Sequence, residues 1–251
     1  MAEFVKAGVK MSDGRQNVIR AVTPPVIYHA LSRFRERLSG RSATEERHRA
    51  IVGGMWDEIG RLQFDFLVQQ GLRPQHKFLD VGCGSLRGGV HFIRYLAEGH
   101  YHGIDRDAGV LQAGQEIELA RAGLGGRRVQ LLCNAEFEVA AFHTRFDYAI
   151  AQSVFTHLPW NSILRCLVNV APVLAPQGQF FATFFEDPDG AHRVSTISHT
   201  PGGVVTRPDR DPYHYEFDVF QDLARRAGLS VTHLGAWGHP RDQQMMVFRR
   251  P

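Results

Sequence analysis

Apolar residues along the chain fall into two alternating rhythms. The short runs KFLDVG (77–82), YHGID (101–105), VQLLC (129–133), FDYAIAQ (146–152) and QFFATFFE (179–186) are mostly apolar and bounded by turn residues. Strands buried on both faces of a sheet read this way. Between them, apolar positions recur at helical spacing over Gly89–Ala97, Ala108–Ala122 and Ser162–Val173. Such alternation of strand and helix implies right-handed crossovers and a parallel sheet, so the predicted class is α/β, doubly wound. A further helix precedes the first strand, with Trp56, Ile59, Leu62, Phe66 and Leu67 at helical spacing and Gly71 as its C-terminal stop.

After Glu186 the rhythm breaks. Residues 187–213 hold Pro188, Gly190, Pro201, Gly202, Gly203, Pro208 and Pro212, with short strand-like pieces at Arg193–Ile197 and Val204–Thr206. A stretch of this length without strong elements predicts an inserted hairpin or lid with a functional role. The chain closes with a helix at Phe217–Ala227, stopped by Gly228, and strands at Ser230–Leu234 and Gln244–Phe248.

Composition narrows the class. Hydrophobic residues make up 43% and charged residues 22% of 251 positions, which suits a folded globular chain rather than a disordered or fibrous one. No run approaches a spanning helix, and the N-terminus lacks a signal-like apolar centre, so a cytoplasmic protein is expected. Cys83, Cys133 and Cys166 show no C-x-x-C spacing and read as reduced packing residues. Residues 1–50 carry 10 Lys and Arg against 5 Asp and Glu, while the rest of the chain carries 19 against 21. The basic excess therefore belongs to an N-terminal helical extension, residues 1–55, ahead of a main domain at 56–251. Within it, VIYHALSRFRERL (26–38) is a basic amphipathic helix, either a cap on the main domain or a peripheral membrane contact through residues 24–41. Oligomeric state leaves no signal.

The loop after the first strand, Asp80-Val81-Gly82-Cys83-Gly84-Ser85-Leu86-Arg87-Gly88-Gly89, lies where open α/β sheets bind ligands. A dinucleotide fingerprint needs glycine where Arg87 stands, and a triphosphate loop needs Gly-Lys-Ser/Thr. Asp80 would oppose a pyrophosphate and favour a cationic ligand. Asp105, 21 residues after Gly84 at the end of the second strand, can accept ribose hydroxyls. A ribose joined to a cationic tail describes S-adenosylmethionine.

With these motifs, the acidic GIDRD, the segment FDYAIAQSVFTHLP and the turn LAPQGQFFATFFE, the chain from Lys77 to Phe248 resembles the class I S-adenosylmethionine-dependent methyltransferases. The resemblance implies a Rossmann-like sheet of about seven strands, mostly parallel with an antiparallel last strand. It also implies site roles. Gly82 and Gly84 would admit the methionine part, with Asp80 near its amino group. Asp105 would hold the ribose, Arg106 would flank the adenine, and Asn134 would reach its edge unless it serves as a cap. Gln152 and Ser153 would face the methyl-donor centre, and Trp56 would wall the site or else pack in the core.

A hydroxyl acceptor would need a general base. His157, Glu186 and His214 are the candidates, all expected at the ligand end of the sheet, and each has a structural alternative. His100 and His102 lack a third ligand, so no metal is assigned. Base methylation in nucleic acid would favour Asn/Asp-Pro-Pro-aromatic where this chain has Gln152-Ser153-Val154-Phe155. Nucleic acid is therefore disfavoured and a small-molecule or glycan acceptor expected, with Trp160, Phe184, Phe185, Tyr213, Tyr215 and Trp237 as aromatic walls. A nicotinamide-dependent oxidoreductase and a non-catalytic S-adenosylmethionine-binding scaffold are the alternatives.

Overall fold

The structure is a computed structural model that describes residues 47–251; the helix expected at 26–38 and the segment 24–41 lie outside the described residues. The unit that holds the sheet runs His48–Pro251. Its elements follow the predicted order. Helix α1 (Trp56–Gln69) leads into β1 (Phe78–Val81), then α2 (Gly89–Tyr95) and β2 (Tyr101–Asp105). Helix α3 (Ala108–Ala113) continues through a π-helical turn, Gly114–Glu118, into Leu119–Arg121. After β3 (Gln130–Cys133) come β4 (Phe146–Ala151), α4 (Trp160–Val170) and β5 (Leu174–Phe184). A two-strand hairpin, β6 (Ile197–Ser198) with β7 (Val205–Thr206), precedes α5 (Phe217–Arg226), β8 (Ser230–Ala236) and β9 (Gln244–Arg249).

The seven long strands lie in the order β3-β2-β1-β4-β5-β9-β8. Strands β1 to β5 pair in parallel, and β9, last in the chain, inserts antiparallel between β5 and β8. The antiparallel strand follows from connection length: only the seven residues 237–243 separate β8 from β9, too few for the dozen or more that a parallel crossover needs. The central strands are buried throughout, as in the run BBBB over β1, and two apolar layers flank them. Phe155, Phe180, Phe220 and Phe248 anchor one layer, while Phe78, Phe92, Tyr101 and Phe181 anchor the other.

Three expectations need adjustment. Helix α4 begins at Trp160 and becomes a 3-10 turn at Ala171, where Pro172 removes a backbone donor. The strand expected over Arg193–Ile197 is a turn-rich segment, with pairing confined to Ile197–Ser198. Cys83 and Cys166 are buried, but Cys133 is exposed on the edge strand β3, its thiol facing the Arg106 carbonyl. Among the described residues, no helix is long and apolar enough to cross a membrane.

Candidate active site

The carboxyl ends of β1, β2 and β4 converge on the glycine loop. Gly82 at φ 69° and Gly84 at φ 56° turn it through backbone conformations that a side chain resists. Contact adds to this. A Cβ at Gly84 would lie 2.6 Å from the Val52 side chain, and one at Gly82 would lie 2.5 Å from Val154. The glycines thus admit both the entry segment and the loop after β4.

Asp80 is 4% exposed and accepts a 2.7 Å hydrogen bond from the Tyr101 hydroxyl. Burial pushes its carboxyl up to about 7; the Tyr101 bond and Arg87 pull the other way, and Asp105 adds to the rise. A buried acid of this kind gains from a cationic neighbour. Asp105 lies at the end of β2, where Oδ2 accepts from the Gly84 N–H and Oδ1 from the Asp107 N–H. It locks β2 to the glycine loop and still has lone pairs to offer. Arg106, next in the chain, is exposed.

Asn134 has the structure of a turn residue. Its Oδ1 accepts from the Glu136 and Glu138 N–H groups, and its Nδ2 donates to Glu138. Trp56 is half-buried at the start of α1, with the Arg49 guanidinium 4.5 Å above its ring. Arg49 also makes two bonds to Glu118, and the His48 ring lies 2.5 Å from the same carboxylate. Burial alone would raise Glu118, but its hydrogen bonds with Arg49 and His48 bring it below the usual range. Residues 48–54 are therefore pinned at one end by this ion cluster.

At the other end they are pinned by Arg87. Its Nη1 donates to the carbonyls of Val52 and Gly54, and its Nη2 to Gln152 Oε1. Burial, then Arg241, lowers the guanidinium to about 10, with Asp80 acting against them. From Gln152 a polar chain crosses the sheet end. Gln152 Nε2 donates to Ser153 Oγ, Ser153 Oγ donates to Gln243 Oε1, and Thr183 Oγ1 donates to the same oxygen. Gln152 Nε2 also lies 3.2 Å from His239 Nε2. Burial, with Arg241 and Arg87, lowers His239 to about 3, so the ring is neutral, and its Nδ1 accepts from the Arg241 N–H. Thr183, His239 and Gln243 were invisible to motif reading, since the hydrogen bonds that join them to Gln152 and Ser153 span 30, 87 and 90 residues.

The three candidate bases have different surroundings. His157 is exposed after β4, with Nδ1 2.5 Å from Asp211 Oδ1 of the lid. Glu186 follows β5 and lies 3.3 Å from His233. His214 is 3% exposed, with Nδ1 2.8 Å from Thr206 Oγ1 and Nε2 3.0 Å from the His192 carbonyl. Both its ring nitrogens hold the lid together. The lid is also tied to the β4 loop, by the Tyr213 N–H on the Thr156 carbonyl and the Tyr215 hydroxyl on the Leu158 carbonyl. Of the expected aromatic walls, Phe184 and Phe185 are core residues, Tyr213 and Tyr215 stack on each other, and Trp160 is exposed. Trp237 packs on Phe66 and His239. Among the described residues, no group of three His, Cys, Asp or Glu side chains could hold a metal ion.

The fold has known counterparts. A family model described as a methyltransferase domain matches residues 79–180. Phosphoethanolamine N-methyltransferase 1 of Arabidopsis thaliana is 27% identical over 134 residues, which is 50% of this chain and 25% of that protein. The match thus spans about a quarter of the length of that curated relative.

Among solved structures, the magnesium protoporphyrin IX methyltransferase of Synechocystis PCC 6803, with bound SAH, aligns at TM-score 0.58 and 15% identity, covering 84% of this chain and 95% of that one. The CcbJ methyltransferase of Streptomyces caelestis aligns at 0.58 and 18%, covering 80% and 98%. A putative O-methyltransferase of Nostoc punctiforme aligns at 0.59 and 20%, covering 84% and 62%. At these identities the likeness is one of fold. Residues 79–180 match a methyltransferase domain, and the fold is shared with solved S-adenosylmethionine-dependent methyltransferases.

The residues present fit that cofactor. Asp80 and Asp105 supply acids, and the buried guanidinium of Arg87 near the loop is occupied by Val52, Gly54 and Gln152 rather than offered to a phosphate.

Proposed function

We propose that the protein methylates a hydroxyl of a small-molecule or glycan acceptor, with S-adenosylmethionine as donor and His157 as general base. The observation that carries this reading is the pair His157 Nδ1 and Asp211 Oδ1, 2.5 Å apart at the carboxyl end of β4. When bound, the cofactor supplies a methyl carbon on a sulfonium leaving group, whose sulfur keeps the C–S electron pair as the acceptor oxygen bonds to carbon. The chain's own residues have the remaining tasks of orienting the acceptor, excluding water and taking its proton.

With Asp211 accepting from Nδ1, His157 presents the lone pair of Nε2 as the proton acceptor. Asp211 is a positioning residue that holds the ring and, through it, the lid segment 207–215. Glu186, already facing His233, is better suited to shaping the acceptor space than to removing a proton. Asp80, Gly82, Gly84 and Asp105 hold the cofactor in this reading. Gln152 and Ser153 fix the floor of the crevice beside it. Three unpaired cysteines favour a cytoplasmic setting.

The test is to incubate the protein with radiolabelled S-adenosylmethionine and host extract, then fractionate the label. Label in the small-molecule or glycan pool, lost in His157→Ala, supports the reading. Label confined to protein or nucleic acid contradicts it.

A further inference from the structure

The lid borders a half-open cavity of about 280 Å³ between the segment after β5 and the hairpin, lined in part by Glu186, Asp187, Asp189, His192, His199 and Asp242. Four of these six are carboxylates. Asp187 is 2% exposed; its Oδ2 accepts from the His192 N–H, while its Oδ1 is buried with no hydrogen-bond partner. A buried acceptor in that state is costly unless something satisfies it. The histidines do little to offset the acids. His199 faces Asp242 at 3.6 Å, yet burial holds it below the usual histidine range. The His192 ring bonds to Ser195 instead. Glu186 faces His233.

The cavity is continuous in the chain with the site. Glu186 lies just beyond β5, and Asp242 precedes Gln243, whose side chain holds Ser153 and Thr183.

We propose that this cavity binds a protonated amine of the methyl acceptor, with Asp187 Oδ1 accepting a hydrogen bond from the ammonium. The inference rests on the methyltransferase reading and narrows its substrate class to hydroxyl compounds that also bear a basic amine. The chemistry is self-consistent. An ammonium paired with a carboxylate has no lone pair to attack a methyl carbon, so the anchored amine is a handle and the hydroxyl remains the nucleophile. A metal ion fits less well, because no three ligating side chains among the described residues are grouped to hold one.

The test uses the full chain with glucosamine and glucose, a cationic and a neutral probe of nearly the same shape, titrated by NMR or calorimetry with and without S-adenosylhomocysteine. Glucosamine is expected to bind at least about tenfold tighter than glucose, a difference of about 1.4 kcal/mol. Asp187→Asn keeps an oxygen for the His192 N–H and should erase that gap while leaving S-adenosylhomocysteine affinity unchanged. Asp189→Asn, on the exposed rim, keeps the test decisive if the first variant does not fold; it should weaken glucosamine by about threefold, within the range of exposed charge pairs. Equal binding of the two sugars overturns the inference. So does a gap that survives both variants, or displacement of glucosamine by magnesium. Failure of the wild type to bind S-adenosylhomocysteine would instead strike the methyltransferase reading, and the sugar comparison would still decide the amine site.

Discussion

Arg87 and Gln152, 65 residues apart in the chain, meet behind the glycine loop, with the guanidinium Nη2 donating to the amide Oε1 at 2.7 Å. Through Nη1 the same side chain holds the carbonyls of Val52 and Gly54. One buried cation therefore joins the entry segment, the glycine loop and the end of β4. Arg87→Ala would orphan all three acceptors. At roughly 1.5–3 kcal/mol per bond to a charged group, discounted for water entry, a loss of about 2–4 kcal/mol in denaturant-measured stability is expected. S-adenosylhomocysteine affinity should fall at least about tenfold. Arg87→Lys should recover only part of either, because an ammonium cannot span the three acceptors as a planar fork does.

Asp80 gives the protein a pH signature. Its carboxyl is raised to about 7 in the folded chain, from an ordinary value of 3.8. Between those values the folded state holds a proton that the unfolded state has lost, so the contribution of Asp80 favours folding at low pH. That contribution disappears as pH climbs toward 7. The stability difference between wild type and Asp80→Asn should therefore shift against the wild type from pH 5 to pH 8, by a few kcal/mol at most. Bound cationic ligand favours the ionised acid, so S-adenosylmethionine affinity should rise with pH over the same window in the wild type. It should be flat in the variant. Parallel urea melts and titrations check both.

His157→Ala should lower kcat by about 10²- to 10⁴-fold, the usual range for a general base, and leave S-adenosylhomocysteine affinity unchanged. Asp211→Asn should lower kcat less, by about tenfold, and shift its pH profile, since it alters the ring's tautomer and orientation rather than removing the base. Steady-state kinetics across pH, with the labelled acceptor pool, separates the two.

His214 has a different outcome in this account. His214→Ala takes this donor from the His192 carbonyl and leaves Thr206 with His199 as its remaining partner, and should cost about 1–3 kcal/mol of local stability. The lid should then be cut faster between residues 190 and 210 in limited proteolysis. Acceptor KM should rise, while kcat at saturation falls less than tenfold and its pH profile stays put. A loss of kcat as large as that of His157→Ala would make His214 the base instead.

Strands such as FLDV at β1 and YHGID at β2 could be read directly, because burial on both faces leaves an almost unbroken apolar run. The tight turns of the glycine loop and the place of Asp105 at the end of β2 were legible for a related reason: they depend on local backbone geometry and on short spacing. Arg87 shows where that stops. By position it marks only a failed dinucleotide pattern, and its work in the structure depends on Val52, Gly54 and Gln152, which spacing cannot foretell. His214 was a candidate base by its place in the chain, yet its partners are Thr206 of β7 and the His192 carbonyl within the lid, which spacing cannot foretell. Asn134 divided evenly between cofactor and cap in the sequence; its side chain is used in the turn it begins.

The central claim is that the acid-lined glycine loop selects a cationic adenosyl cofactor over a dinucleotide. Calorimetric titration of the wild-type protein with S-adenosylhomocysteine and with NADH, repeated on Asp105→Ala, tests it most directly. The account predicts micromolar affinity for S-adenosylhomocysteine, weakened at least about tenfold in the variant, and no measurable heat from NADH. Saturable binding of NADH with none of S-adenosylhomocysteine would contradict it.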